Sequence, residues 1–280
     1  MENGRLKVAS VRGSARRILV LLALMFVLVE AGLFLFQRSL LYHPVTQTMS
    51  QLLKDCDSEE LTLWPSPNNY RGLMAQPRAQ VIRGTVLLLH GNAGSAIDRT
   101  EYGNLLLPLG YRLILLEYPG FGARPGRPSE AVMTADAAES VRLARAQFGE
   151  PLFLFGESLG TGVAASTIAV SGRQINGVLL GTPWDSLPHV AQAMFWFLPV
   201  KWLVRDRFDT SRNLAGYPGP LAIVMAGQDE LIPSECTLAL DRSFTGKKQL
   251  TVLKQATHND WVDWTDRKWW DQTMRFLRNE

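Results

Sequence analysis

Leu152-Phe153-Leu154-Phe155-Gly156-Glu157-Ser158-Leu159-Gly160 joins an apolar run of strand length to a small-residue turn, and the turn opens a segment rich in Gly162, Ala164, Ala165 and Ser166. A serine at the tip of a sharp strand-to-helix turn needs small residues two before and two after it, because the chain folds back on itself there. Gly156 and Gly160 meet that demand. A flexible loop also matches G-x-S-x-G, since glycine and serine are common. The strand before it and the helix after it favour the tight turn, with Ser158 exposed at a helix N-terminus.

The flanking pattern extends this unit in both directions. Apolar runs recur at Thr85 to His90, Arg112 to Tyr118, Pro151 to Gly156, Gly177 to Thr182, Leu221 to Ala226 and Gln249 to Leu253. Uninterrupted runs such as Val86-Leu87-Leu88-Leu89 fit strands covered on both faces. Helical patterns fall between them, at about Ile97 to Leu109, Ser129 to Phe148, Leu159 to Val170, Pro233 to Phe244 and Asp260 to Leu277, with Gly110, Gly149 and Gly172 at C-cap positions. Leu61 to Trp64 and Tyr70 to Ala75 read as an antiparallel hairpin at one sheet edge. The expectation is an α/β fold with a mostly parallel, doubly wound sheet, whose chemistry sits beyond the strands' C-terminal ends.

Serine is a poor nucleophile unless a base takes its proton and an acid holds that base in the right tautomer. Asp229 follows the run Leu221 to Ala226 and His258 follows Gln249 to Leu253, so both emerge at the same sheet edge as Ser158. A turn aspartate and a structural loop histidine are the plainer readings of each alone; together with the serine they read as a triad. Glu230 is a near substitute for the acid, whereas Asp185, Asp206, Asp209 and Asp241 follow no strand directly. His189 is the other downstream histidine and reads as a surface or packed residue. The small-residue loop His90-Gly91-Asn92-Ala93-Gly94 can bring a backbone N–H to a substrate carbonyl, which assigns the oxyanion donors to the amides of Asn92 and Leu159. His90 precedes the serine and is expected to pack against that loop.

At the N-terminal end, Ile18 to Phe36 is almost continuously apolar and, at about 1.5 Å per residue, a helix there would span roughly 28 Å. The expected organisation is a basic tail over residues 1–17, a transmembrane signal-anchor over 18–36, a juxtamembrane linker over 37–60 and a catalytic domain over 61–280. Arg5, Lys7, Arg12, Arg16 and Arg17 outnumber Arg38, which places the N-terminus in the cytoplasm and the domain on the periplasmic, lumenal or outer side. A cleaved signal peptide ending near Val29-Glu30-Ala31 competes, because a charged side chain near the bilayer centre costs about 2.5 to 3.5 kcal/mol. The renewed apolar run Gly32 to Phe36 favours the anchor.

Across 280 residues the chain is 46% hydrophobic and 20% charged, a composition that supports one sizeable core. Its net charge of +3 resides largely in the N-terminal tail, which removes the argument for nucleic acid. Cys56 and Cys236 are too few for a disulfide framework and read as two free thiols, although one bridge between them stays open. The four histidines are widely spaced and no CxxC occurs, so neither a metal nor any other cofactor is expected.

These features resemble the alpha/beta hydrolase superfamily, and within it the small single-pass subfamily that includes protein-depalmitoylating serine hydrolases. The resemblance rests on Phe36 to Pro44, the His90 to Gly94 loop, Glu117-Tyr118-Pro119-Gly120-Phe121-Gly122, Gly126 to Glu130, the serine turn, Arg207-Phe208-Asp209, and the Asp229 and His258 segments. It implies hydrolysis of an acyl ester or thioester through an acyl-enzyme, with a short cap insertion over the site. A peptidase, an acyltransferase or a silent binding scaffold on the same frame are the alternatives. The apolar segment Phe195 to Val204 falls where caps are inserted, and reads either as a surface for acyl chains or membrane, or as a packed helix. For Trp261, Trp264, Trp269 and Trp270, core packing is expected.

Overall fold

The computed structural model describes residues 2–78, 81–171 and 174–280, with side chains described from residue 16 onward; Gly172, expected as a cap, lies outside them. Among the described residues an eight-stranded sheet forms the centre. Its strands are β2 (Thr62–Trp64), β3 (Gly72–Ala75), β4 (Gly84–Leu89), β6 (Tyr111–Leu116), β7 (Leu152–Glu157), β8 (Gly177–Gly181), β9 (Leu221–Ala226) and β10 (Lys248–Leu253). They run in the order β10-β9-β8-β7-β4-β6-β3-β2, all parallel except that β3 is antiparallel to both neighbours. The expected hairpin is thus β2 and β3, at the sheet's edge.

Two-residue alternation splits the core between the two faces. Leu87, Leu89, Leu152 and Leu154 point to one side, where they meet α4 (Glu130–Phe148) and α5 (Leu159–Ser171) through Met133, Val141, Val163 and Ala164. Val86, Leu88, Phe153 and Phe155 point to the other, against α3 (Glu101–Leu106) and α9 (Arg267–Leu277) through Tyr102, Leu106, Trp270 and Met274. Between β8 and β9 the chain makes α6 (Leu187–Met194), a 3-10 turn at Val200–Trp202 and α7 (Thr210–Leu214), the short cap insertion; α8 (Ser234–Ser243) follows β9.

Two expected helices are broken. Ile97 to Leu109 resolves into a 3-10 turn at Ala96–Arg99 opened by a Ser95/Asp98 capping box, then α3, then a 3-10 turn at Leu107–Leu109 that Gly110 closes in the left-handed conformation. Pro108 removes a backbone donor at the last junction. Asp260 to Leu277 divides at Thr265, where the backbone is extended and Asp266 caps α9 by accepting from the Trp269 amide. Trp261 and Trp270 are buried, as expected, and Trp264 is about half exposed at 48%. Cys56 and Cys236 are both buried free thiols, and burial pushes them up to about 11 and about 12 respectively.

α1 runs Glu2–Leu41, and within it Arg16–Leu41 is long and apolar enough to cross a membrane. Within residues 37–60, expected to act as a linker, the chain holds the end of α1, β1 (His43–Pro44) and α2 (Met49–Ser58). β1 pairs in parallel with β5 (Ala93–Gly94). Thr48 caps α2 by accepting from the Gln51 amide, and Leu52 and Cys56 enter the core cluster that also holds Leu73 and Tyr102. Leu52 is fully buried. Leu52→Ala is therefore expected to lower the unfolding free energy by about 2 to 5 kcal/mol in denaturant titrations, whereas a spacer position would show no change.

Candidate active site

The elbow has the strain its sequence implied. Ser158 sits at φ +50°, and its amide donates to Gly181 O at 2.9 Å, so β8 holds the turn in place. A Cβ on Gly156 would lie 2.5 Å from Gly160 O, and one on Gly160 would lie 1.8 Å from Leu89 O. Neither position admits a side chain without moving backbone. Leu159 is the first residue of α5, so its amide has no acceptor within the helix.

The C-terminal ends of three strands bring the distant residues together. His258 Nε2 lies 2.8 Å from Ser158 Oγ, and His258 Nδ1 lies 2.8 and 3.0 Å from the two oxygens of Asp229. Asp229 Oδ1 also accepts from the amides of Leu231 and Ile232 at 2.9 and 2.8 Å, which fixes the carboxylate's orientation. Both side chains are nearly removed from solvent, at 5% and 4% exposure. With a carboxylate facing Nδ1, that nitrogen carries the proton, and the lone pair of Nε2 faces the serine hydroxyl. Glu230, the near substitute, is directed to the His258 backbone amide, 3.4 Å away, and not to the ring.

Asn92 follows the glycine that abuts the serine. A Cβ on the preceding Gly91 would stand 3.6 Å from Ser158 Cβ, so the loop passes directly alongside it. The Asn92 side chain donates to Leu41 O at 2.9 Å, and the Asn92 backbone carbonyl accepts from the His43 amide at 2.8 Å. The loop is thereby tied to the end of α1. Of the other candidates, His189 pairs with Asp185 at 2.9 Å on α6, Asp209 caps α7, and Asp206 binds Arg38. Asp185, His189 and Cys236 bring ligand-type atoms within 4.8 Å of one another; the imidazole and carboxylate there already satisfy each other.

Residues 84–217 match the family described as alpha/beta hydrolase fold. An uncharacterized protein of Mycobacterium tuberculosis is 32% identical over 195 residues, which cover 69% of each chain. The lysophosphatidylserine lipase ABHD12 of Danio rerio is 30% identical over 167 residues, 53% of this chain and 44% of that protein. Among solved structures, the Pyrococcus furiosus esterase Pf2001 superposes with a TM-score of 0.61 at 15% identity, over 85% of this chain and 98% of that one. The chain belongs to the alpha/beta hydrolase family.

Around its site this alpha/beta hydrolase also carries a polar support that sequence reasoning left without a role. Glu117, fully buried, accepts from the Ala96 amide and lies 3.3 Å from His90 Nε2, while His90 Nδ1 donates to Gly91 O. The Tyr118 hydroxyl donates to His90 O at 2.9 Å. His90 thus packs beneath the loop, as expected, with the buried Glu117 carboxylate beside its ring. Glu157, next to the serine, accepts from Tyr102 Oη at 2.7 Å and lies 3.2 Å from Arg99 Nε. Burial, reinforced by the Glu157 carboxylate, holds the Tyr102 phenol well above its ordinary range and keeps it a donor. The signal for Glu117 was its place directly after the apolar run of β6, where an acid has reason to be only if something pairs with it.

Proposed function

We propose that this alpha/beta hydrolase cleaves carboxylic ester or thioester bonds with Ser158 as nucleophile, His258 as base, Asp229 as the orienting acid, and the amides of Asn92 and Leu159 as oxyanion donors. The observation that supports this most is the continuous relay from Asp229 through both ring nitrogens of His258 to Ser158 Oγ, with 2.8 Å at each end. Ser158 Oγ attacks the acyl carbonyl while His258 Nε2 takes its proton, and the two amides receive the charge that develops on the carbonyl oxygen. The C–O or C–S bond then breaks, His258 returns the proton to the leaving group, and the acyl group stays on Ser158. Water, deprotonated by the same nitrogen, releases the acid and restores the serine.

A substrate at a membrane is supported by Arg16–Leu41, which is long and apolar enough to cross one and runs directly into the domain. Arg5, Lys7, Arg12, Arg16 and Arg17 just before the apolar stretch Ile18 to Phe36 outnumber Arg38 just after it, which supports a cytoplasmic N-terminus and a site on the opposite side. The lysophosphatidylserine lipase relative is consistent with an acylated or lipidic substrate.

Asp229→Asn tests the relay with little change in shape. An amide can donate to Nδ1 and so favours the tautomer that presents a proton, not a lone pair, to the serine. Turnover of p-nitrophenyl esters is expected to fall by roughly 10⁴-fold with the fold retained by circular dichroism. A loss below tenfold would remove Asp229 from the mechanism.

A further inference from the structure

The last turns of α1 are pinned to the cap. Gln37 Nε2 donates to Leu203 O at 3.2 Å, and its Oε1 accepts from the Arg205 amide at 2.7 Å. Arg38 forms a two-point pair with Asp206, at 2.8 and 2.9 Å, and the Tyr42 hydroxyl donates to the same carboxylate at 3.0 Å. The Asp206 side chain is only 6% exposed, so its charge is compensated inside the junction.

Between α1 and the cap these contacts border a half-open cavity of about 400 Å³, whose walls are Leu33, Leu40 and Leu41 on one side and Val190, Ala191 and Met194 on the other. Its lining is predominantly apolar, and its volume lies at the small end of the about 300 to 1,000 Å³ range of ligand sites. One wall continues the apolar surface of the membrane-length helix. At the other end, the Leu41 carbonyl holds the Asn92 side chain, one residue from the glycine that abuts Ser158. Outside the cavity Trp196, Phe197 and Trp202 are 79%, 63% and 77% exposed, with Lys201 above the Trp202 ring. Such a cluster has no reason to face water, and tryptophan beside the end of a membrane span is characteristic of the bilayer interface.

We propose that this cavity takes the acyl chain of a single-chain membrane glycerolipid, which slides along α1 from the leaflet so that its ester carbonyl reaches Ser158. The proposal rests on the serine hydrolase reading above and names its substrate class. The volume suits one chain, and the aromatic rim seats the opening at headgroup depth, so a bilayer lipid enters without leaving the membrane, whereas an acylated protein would have to pass its polypeptide over that rim. The ester C–O bond breaks, the acyl group passes to Ser158 and then to water, and glycerol leaves with the proton from His258.

The test uses the full chain in phosphatidylcholine vesicles with 1-palmitoylglycerol and p-nitrophenyl acetate. Met194→Trp, at a half-exposed wall position, and Ala191→Trp fill the cavity. The ratio of kcat/KM for the long-chain ester to that for the acetate is expected to fall by at least about tenfold in each. An unchanged ratio overturns the proposal, as does faster release from a palmitoylated cysteine peptide than from 1-palmitoylglycerol. A second readout does not need turnover: Ser158→Ala protein is irradiated with 1-palmitoylglycerol carrying a diazirine at the chain end. Adducts on residues 187–204 are expected, and adducts confined to residues 18–32, outside the cavity, overturn the proposal. If the native chain cleaves neither ester while adducts fall on 187–204, the acyl site stands and the hydrolase reading fails.

Discussion

Ser158→Ala is expected to lower p-nitrophenyl ester turnover by roughly 10⁴ to 10⁶-fold and to abolish covalent labelling by a fluorophosphonate. The size of the effect follows from the geometry. His258 can still activate water, but the oxygen aligned 2.8 Å from Nε2 is gone, and with it the acyl-enzyme that divides one difficult step into two. Stability separates this from a folding defect. Alanine keeps the φ of +50° that serine already bears, so the midpoint of thermal unfolding should barely move. Ser158→Gly, equally inactive, should instead gain about 1 kcal/mol, because glycine adopts that conformation without a Cβ penalty. Residual activity of Ser158→Ala above a tenth of the native value would assign the chemistry to another nucleophile.

Gly160→Ala is the substitution expected to cost the fold most, more than about 4 kcal/mol or outright failure to accumulate folded protein. The added methyl would meet Leu89 O at 1.8 Å and His90 O at 2.8 Å, both backbone atoms of the central strand β4 and the loop after it. A flexible side chain could swing away from such a contact; a carbonyl in the middle of a sheet cannot. Separating α5 from β4 would also carry Ser158 away from Gly91. Urea titration of the variant beside the native chain measures the effect, and a change under 1 kcal/mol would show that the helix can shift at little cost.

The strands β4 and β6 to β9 were legible because each is a short apolar run bounded by glycine, proline or a charged residue, and burial on both faces leaves few polar residues to blur the pattern; β10, half-buried at the edge, was legible from Leu250, Val252 and Leu253. Ser158, Asp229 and His258 were legible for a related reason: each directly follows such a run, and the ends of parallel strands converge. α2 was harder to see. Its buried residues, Leu52 and Cys56, lie one turn apart among Gln51, Lys54, Asp55 and Asp57, so one narrow stripe carries the whole signal; the Thr48 cap was the missing clue. The break at Thr265 was hidden by the tryptophans on both sides, which keep the apolar content high through a non-helical residue. The packed-helix reading of Phe195 to Val204 gives way to short turns with their aromatic rings outward, a difference that depends on what α1 and the cap contact and that no local period records.

The pairing of His43–Pro44 with Ala93–Gly94 bears on where the chain can be shortened. A fragment that starts at Leu61 keeps every strand of the main sheet, yet discards the short strand that lies along the Asn92 loop, the carbonyl that anchors the Asn92 side-chain amide, and the buried Leu52. The smallest piece that keeps these contacts is accordingly longer than the sheet suggests: its left-hand boundary falls ahead of Arg38, inside the hydrophobic helix, and a soluble version that keeps them retains a stub of that helix and needs a means of covering it.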